Sequence, residues 1–190
     1  MADDSEKMEL GGYRLLVSRV DELAGRVART FSTEINCRPG CSGCCRHLTL
    51  FPVEAMTLLL ALENLTPENL RFLADRVEMA GDGPCPLLKE GLCLAYDARP
   101  IICRTHGLPL LTEMEGEKRV DFCPENFRGT ESLPGSAVLN LDILNQTLVA
   151  VNAAFLRETA DPRFAARERF SIAHIVSLAL GHEAGTNDAG

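Results

Sequence analysis

A mainly α chain, with helices bracketing an irregular cysteine-rich core and at most minor β structure, is the fold class that this sequence predicts. Three observations predict it. Apolar residues recur at spacings of three and four near both ends of the chain. All eight cysteines fall between Cys37 and Cys123, and eight of the ten prolines lie between Pro39 and Pro124. Strand-like runs are confined to two short segments.

Residues 9–34 read as an amphipathic helix, with Leu16, Val20, Leu23, Val27 and Phe31 on one stripe and Asp21, Glu22, Arg26 and Arg29 on other faces. The proline-rich middle forces short elements and loops. Within it, Pro52 to Leu62 predicts a helix with proline at its first position. Thr66 to Met79 predicts another, with Thr66 as N-cap, Pro67 after it, and Leu70, Leu73 and Val77 along one stripe. Leu48 to Phe51 and Arg119 to Phe122 are the two candidate strands. After Cys123, Leu141, Leu144, Leu148, Val151 and Phe155 mark one helix and Ile172, Ile175, Val176 and Ala179 another, with Pro162 in the break. The first seven residues and residues 181–190 are small and polar, and disorder is expected there.

A length of 190 residues suits a single domain, 1–190, with a core over 35–125 flanked by helices over 9–34 and 139–180. The formal charge of −8 argues against a nucleic-acid partner, because phosphate binding rests on surplus Lys and Arg. The longest apolar stretch, Met56 to Leu62, is too short to span a bilayer. Asp3, Asp4 and Glu6 have the wrong sign for a secretory leader, so the expected location is the cytoplasm. A reducing cytoplasm keeps thiols unpaired, and a cysteine cluster there points to metal or catalysis rather than disulfides.

The first cluster, Cys37-Arg-Pro-Gly-Cys41-Ser-Gly-Cys44-Cys45, places four thiols within nine residues. Small residues between them let the backbone wrap and aim several sulfurs at one point. The step from Cys41 to Cys44 has the span of a metal knuckle. Adjacent side chains tend to point apart, so Cys44 and Cys45 serve either different metal atoms or different sites. The second cluster is looser: Cys85, Cys93, Cys103 and then Cys123, followed by Pro124. Core packing alone does not put eight cysteines into an 87-residue window and none into the other 103 residues. Eight divide naturally into two sets of four, suited to tetrahedral zinc or to an iron–sulfur cluster; a single site with the remaining thiols reduced or catalytic is the alternative.

These residues resemble a known family. Cys37-x3-Cys41-x2-Cys44-Cys45, then Cys85-Pro-Leu, then Cys93-Leu-Ala-Tyr-Asp-Ala-Arg-Pro-Ile-Ile-Cys103-Arg, is similar to the YkgJ-type cysteine cluster family, the CxxCxxCC domain associated with zinc or iron chelation. Every cysteine falls on a matching position. The three-residue gap from Cys37 to Cys41 departs from the two that the short name suggests. The resemblance covers roughly residues 35–125 and implies metal chelation. A larger relative, the flagellin lysine N-methylase, carries a similar cysteine domain associated with an iron–sulfur cluster, which tilts the expected cofactor from zinc towards iron.

Arg104, beside Cys103, and Arg99 are candidates for the cofactor's surroundings, where a guanidinium can donate to a thiolate or sulfide and offset its charge. Surface pairing is the competing role for Arg99. Tyr96 reads as a packing residue with a polar tip. His47 and His106 are the histidines near the thiols, and neither is needed as a ligand with eight cysteines present. No G-x-G-x-x-G follows a strand, so a dinucleotide or S-adenosylmethionine fold is unsupported. Cys37-x3-Cys41-x2-Cys44 has the spacing of the radical-enzyme signature, but the chain shows too few strands for the barrel those enzymes resemble. Three functions follow: an iron–sulfur protein for electron transfer, sensing or cluster handling; a structural or chelating zinc protein; and a metal-dependent enzyme related through its cysteine domain to the methylase. The first is favoured, and no catalytic residue is assigned.

Overall fold

The computed structural model describes residues 9–38, 40–77, 83–130 and 132–182. Residues 1–8 and 183–190, which hold most of the two polar ends, lie outside them. In chain order the elements begin with α1 (Gly11–Thr30), β1 (Thr49–Leu50), α2 (Pro52–Glu63) and α3 (Pro67–Val77). The cysteine region continues with β2 (Leu88–Lys89), β3 (Leu92–Cys93), a 3-10 turn (Tyr96–Ala98), α4 (Ile101–Thr105), β4 (Leu110–Met114) and β5 (Glu117–Asp121). A second 3-10 turn (Gly135–Ala137) then leads to β6 (Leu139–Asn140), α5 (Leu141–Glu158), α6 (Pro162–Ala165), β7 (Phe170–Ser171) and α7 (Ile172–Ala179).

Helix α2 is the centre of packing. Val53, Ala55, Leu58, Leu59 and Leu62 are all buried, because a helix that is apolar on nearly every side must be surrounded. Around it gather Leu10, Tyr13, Leu16 and Val20 from the start of α1, and Leu73 from α3. Leu144, Leu148 and Phe155 of α5 join them, with Phe164, Phe170 and Ile172, Ile175 and Val176 of α7. The α1 stripe divides along its length. Its first half faces this core, whereas Val27, with Phe31 beside it, packs on a smaller cluster with Leu108, Phe127, Ala137 and Leu139. Leu23, placed on the stripe by spacing, is 36% exposed. Among the described residues no helix is long and apolar enough to cross a membrane.

Capping follows the sequence closely. Pro52 opens α2, and Thr66 Oγ1 accepts from the Asn69 amide at 3.3 Å before α3. Asn140 caps α5 by accepting from Ile143 N at 3.0 Å, and Ser171 caps α7 by accepting from His174 N at 3.1 Å. Pro162 does more than break the chain, since it is the first residue of the short α6.

The expected fold class is corrected by the strands. The described chain is about 51% helical and 13% strand, and the β structure forms three small sheets rather than an incidental fringe. β4 is central in the largest sheet, antiparallel to β5 and parallel to β6. β1 pairs antiparallel with β7, Thr49 opposite Ser171, and thereby draws α7 onto α2. β2 and β3 form a hairpin, with Leu88 opposite Cys93. Of the two expected strand runs, Leu48–Phe51 contains β1 and Arg119–Phe122 overlaps the second half of β5. Two-residue strands such as β6 and β7 carry no alternation to read, because they exist only through pairing with distant partners.

Candidate metal centre

The thiols are placed by turns, one hairpin and one buried asparagine. In the first run, Cys41 N donates to Arg38 O at 2.9 Å and Cys45 N to Ser42 O at 3.0 Å, so the backbone reverses twice within nine residues. Gly40, at φ +88°, supplies the left-handed step between them. Gly91, at the tip of the β2–β3 hairpin, lies against this loop: a Cβ there would stand 3.6 Å from the Gly40 carbonyl. Cys85 N donates to Cys45 O at 3.1 Å, and Arg46 bridges to Pro84, which fastens the hairpin to the end of the first run.

Cys123 reaches the first run through Asn126. This side chain is 1% exposed; its Nδ2 donates to Gly107 O at 2.6 Å and to Cys37 Sγ at 3.3 Å, and its Oδ1 accepts from Asn36 N at 2.8 Å. Asn126 N in turn donates to Cys123 O at 2.9 Å, and Cys123 N to Gly107 O at 3.3 Å. Gly107 sits at φ +88°, and a Cβ there would lie 3.1 Å from Cys37 Sγ and 3.4 Å from Cys123 Cβ. Glycine is required by backbone angle and by space.

Two neighbourhoods result. Burial pushes the Cys37 thiol up; Asn126 works against this, and Cys123, Cys41 and Cys44 add to it. Cys44 is raised by burial, then by Cys45 and, more weakly, Cys41. In the other neighbourhood Cys45 is raised by burial and then by Cys93. Burial first, and then Cys93 and Cys45, hold Cys85 up at about 11. Cys103 is pushed to about 12 by burial and then by Cys85, Cys93 and Cys45. We call Cys37, Cys41, Cys44 and Cys123 the outer set, and Cys45, Cys85, Cys93 and Cys103 the inner set, although Cys45 also feels Cys41 and Cys44. They adjoin at the consecutive pair Cys44 and Cys45, whose side chains interact with one another.

All eight cysteines are free thiols. Cys37 and Cys41 are exposed, whereas Cys85 is buried in the main core. Among the described residues no three His, Cys, Asp or Glu side chains stand as a finished metal-ion site. Ligation would displace a proton from each thiol, so metal binding and the pH of the solution are coupled. In donor chemistry the two sets fit zinc or an iron–sulfur cluster, either of which takes four thiolates. For the reduced, metal-free protein at pH 8, iodoacetamide should modify Cys85 and Cys103 more than about tenfold slower than Cys41, since the thiolate is the reacting form. Peptide mapping by mass spectrometry reads the order, and equal rates would contradict the inner placement.

The other sequence candidates separate. Arg99 stands beside the inner set and its charge pulls the Cys45, Cys93 and Cys103 thiols down, against their burial. Its guanidinium lies 3.6 Å over the exposed Tyr96 ring, and Nε donates to Tyr96 O at 2.9 Å. Arg104 is 95% buried but turned towards α1: Nη1 pairs with Asp21 at 2.6 Å, Nε donates to Arg99 O at 2.7 Å, and Nη2 donates to Asp97 O. It secures the Cys93–Cys103 loop to the helix. His47 Nε2 accepts from Ala173 N at 3.2 Å at the start of α7, and His106 is exposed just past α4.

Two residues that position the site carried no sequence signal. Asn126 lies in a Cys-Pro-Glu-Asn turn, but its partners are 19 and about 90 positions away. Glu54, 4% exposed in α2, accepts from Phe51 N at 3.1 Å and from Ile101 N at 3.0 Å, and so ties the N-termini of α2 and of the Cys103-bearing α4 together. Burial raises its carboxyl above the usual range although both amides pull it down.

No curated protein matches the chain, and no solved structure does either. A family model does match, over residues 36–124, a span that takes in every cysteine and stops short of the α1 and α5–α7 helices. Residues 36–124 thus belong to the CxxCxxCC family, whose description is "putative zinc- or iron-chelating domain".

Proposed function

We propose that this chain holds iron–sulfur clusters on its eight cysteines, one on the outer set and one on the inner, and acts in the cytoplasm in electron transfer, sensing or cluster handling. The observation that supports the reading is that eight free thiols, Cys37 to Cys123, all lie within the matched zinc- or iron-chelating domain; four are assigned to each cluster. Bound clusters would supply one-electron chemistry, tuned by burial and by hydrogen bonds to sulfur. The chain's own part is to supply those features. Asn126 aims an N–H at Cys37 Sγ, and Arg99 brings positive charge to the inner set, which offsets the charge of ligating thiolates. Cys37 and Cys41 are exposed, where a partner protein or chelator can reach them, while Cys85 is buried in the core and the other five are half-buried.

Zinc is the second reading, favoured by the family description, which names both metals. On that reading the metal organises the middle loops so that α1, α2 and α5 can dock on them. Anaerobic purification followed by a visible spectrum and analysis for iron, zinc and acid-labile sulfide separates the two. Iron with matching sulfide and a broad visible band that bleaches on reduction supports clusters. A colourless protein with about two zinc per chain supports the second reading. Free thiols and no metal after anaerobic reconstitution would sink both.

A further inference from the structure

Gly107 leaves an empty place beside two of the thiols. A Cβ there would lie 3.1 Å from Cys37 Sγ and 3.4 Å from Cys123 Cβ, so these atoms border one point and stand no farther apart than the two distances together. They come from opposite ends of the cysteine region, and a clamp that needs no metal brings them there. Phe127 N donates to Glu34 O at 2.7 Å, and Asn36 Nδ2 donates to Glu125 O at 2.6 Å. Between these bonds, Asn126 accepts from Asn36 N and donates to Gly107 O. Phe127 packs against Phe31 and Phe122 across the same junction, with ring centroids 5.6 and 6.0 Å away. Its φ of +52° is a left-handed backbone that a bulky residue adopts only where its surroundings impose it.

Two thiols held together by the fold react as an intramolecular pair, and a disulfide is within reach where little backbone movement closes it. Cys37 is exposed and Cys123 half-buried, so a small reagent reaches the pair from solvent. Cys45 and Cys85 are also joined through the backbone, at 3.1 Å, but Cys85 is buried in the core. We infer that Cys37 and Cys123 form a reversible disulfide across the space left by Gly107, which places the outer set under redox control. The oxidant is a low-molecular-weight disulfide. Cys37, as a thiolate, attacks one of its sulfurs and expels one small thiolate, leaving a mixed disulfide. Cys123 gives up its proton, attacks Cys37 Sγ and expels the second small thiolate; the two leaving groups take up the two protons. The protein sulfurs lose two electrons and the small disulfide gains them. A bridged pair offers no thiolate to a metal, so oxidation closes the outer site and reduction reopens it. That consequence rests on the metal reading above, whereas the bridge itself does not. In a reducing cytoplasm such a bond is transient, as a redox sensor requires.

The metal-free protein is equilibrated without oxygen in buffers of reduced and oxidised glutathione, blocked with N-ethylmaleimide, and mapped as peptides by mass spectrometry. The expected first bridge joins Cys37 to Cys123 while the other six thiols carry the blocking group. Cys37→Ser and Cys123→Ser should each leave no bridge at the same buffer ratio. Asn126→Ala loosens the clamp, and half-formation of the bridge should then need a glutathione buffer about tenfold more oxidising, the effect of about one lost hydrogen bond. Circular dichroism checks that this variant is folded, and the two serine variants carry the test if it is not. A first bridge elsewhere, between Cys41 and Cys44 above all, would overturn the assignment, as would an unmoved midpoint in folded Asn126→Ala. The oxidised protein should bind one cobalt(II) equivalent fewer than the reduced protein and regain it after dithiothreitol. Equal cobalt binding would overturn the redox control. A reduced protein that binds no cobalt would overturn the metal reading and the control with it, while the peptide map still decides the bridge.

Discussion

Cys44→Ser and Cys45→Ser, substitutions at neighbouring positions, should each remove one metal equivalent, and not the same one. The proposed division assigns Cys44 to the site of Cys37, Cys41 and Cys123, and Cys45 to that of Cys85, Cys93 and Cys103. The backbone reverses here, with Cys45 N turned back to Ser42 O and Cys45 O tied to Cys85 N. Loss of one of four thiolates typically abolishes a tetrathiolate site, so each single variant should retain about half of the wild-type metal and the double variant close to none. The variants should also differ in kind. Cys45→Ser should share its residual spectrum with Cys103→Ser, and Cys44→Ser with Cys123→Ser. Metal analysis of the five proteins decides it: identical residual sites in the two single variants would mean that one site uses both neighbours.

Glu54→Ala should be the most damaging change outside the cysteines. It leaves Phe51 N and Ile101 N buried without an acceptor and opens a void at the start of α2, the most enclosed helix of the fold. Two orphaned amides at about 1–3 kcal/mol each give roughly 2–6 kcal/mol, a large share of a typical domain stability of about 5–15 kcal/mol. For a chain of this size that corresponds to a fall in melting temperature of about 10 °C or more. Glu54→Gln should cost less, about 1–2 kcal/mol, since one amide keeps an acceptor and the buried charge is removed. Because Ile101 opens the helix that carries Cys103, the alanine variant should also weaken the inner metal equivalent before the outer one. A melting temperature within about 2 °C of wild type would mean that neither amide depends on this carboxylate.

Much of the helical frame was legible because its signals are local. Pro52, Thr66 and Pro67 mark helix starts through backbone angle and capping, and the stripes of α5 and α7 repeat at helical spacing within a single element. The eight thiols were legible for a different reason, since their density in one window has no packing explanation. Leu23 and the β content were not: a stripe cannot say where one core ends and another begins, and a two-residue strand has no period.

What the sequence by itself determined is therefore the chemistry, eight soft ligands within a family pattern and a helical frame to carry them. Only the tertiary structure decided which cysteine-bearing segments meet and what holds them. Cys123 joins Cys37 because Asn126 bonds to residues on both sides of a span of about 90 positions. Cys45 joins Cys85 through a backbone bond that closes a loop of 40 residues, and Arg104 goes to Asp21 on α1 rather than to the neighbouring sulfur. Each of these is a pairing between segments far apart in the chain, where loop closure costs little and the geometry of the folded core selects the partner. Glu54 reads as an ordinary helix residue for the same reason: its importance lies in the two amides that the fold brings to face it.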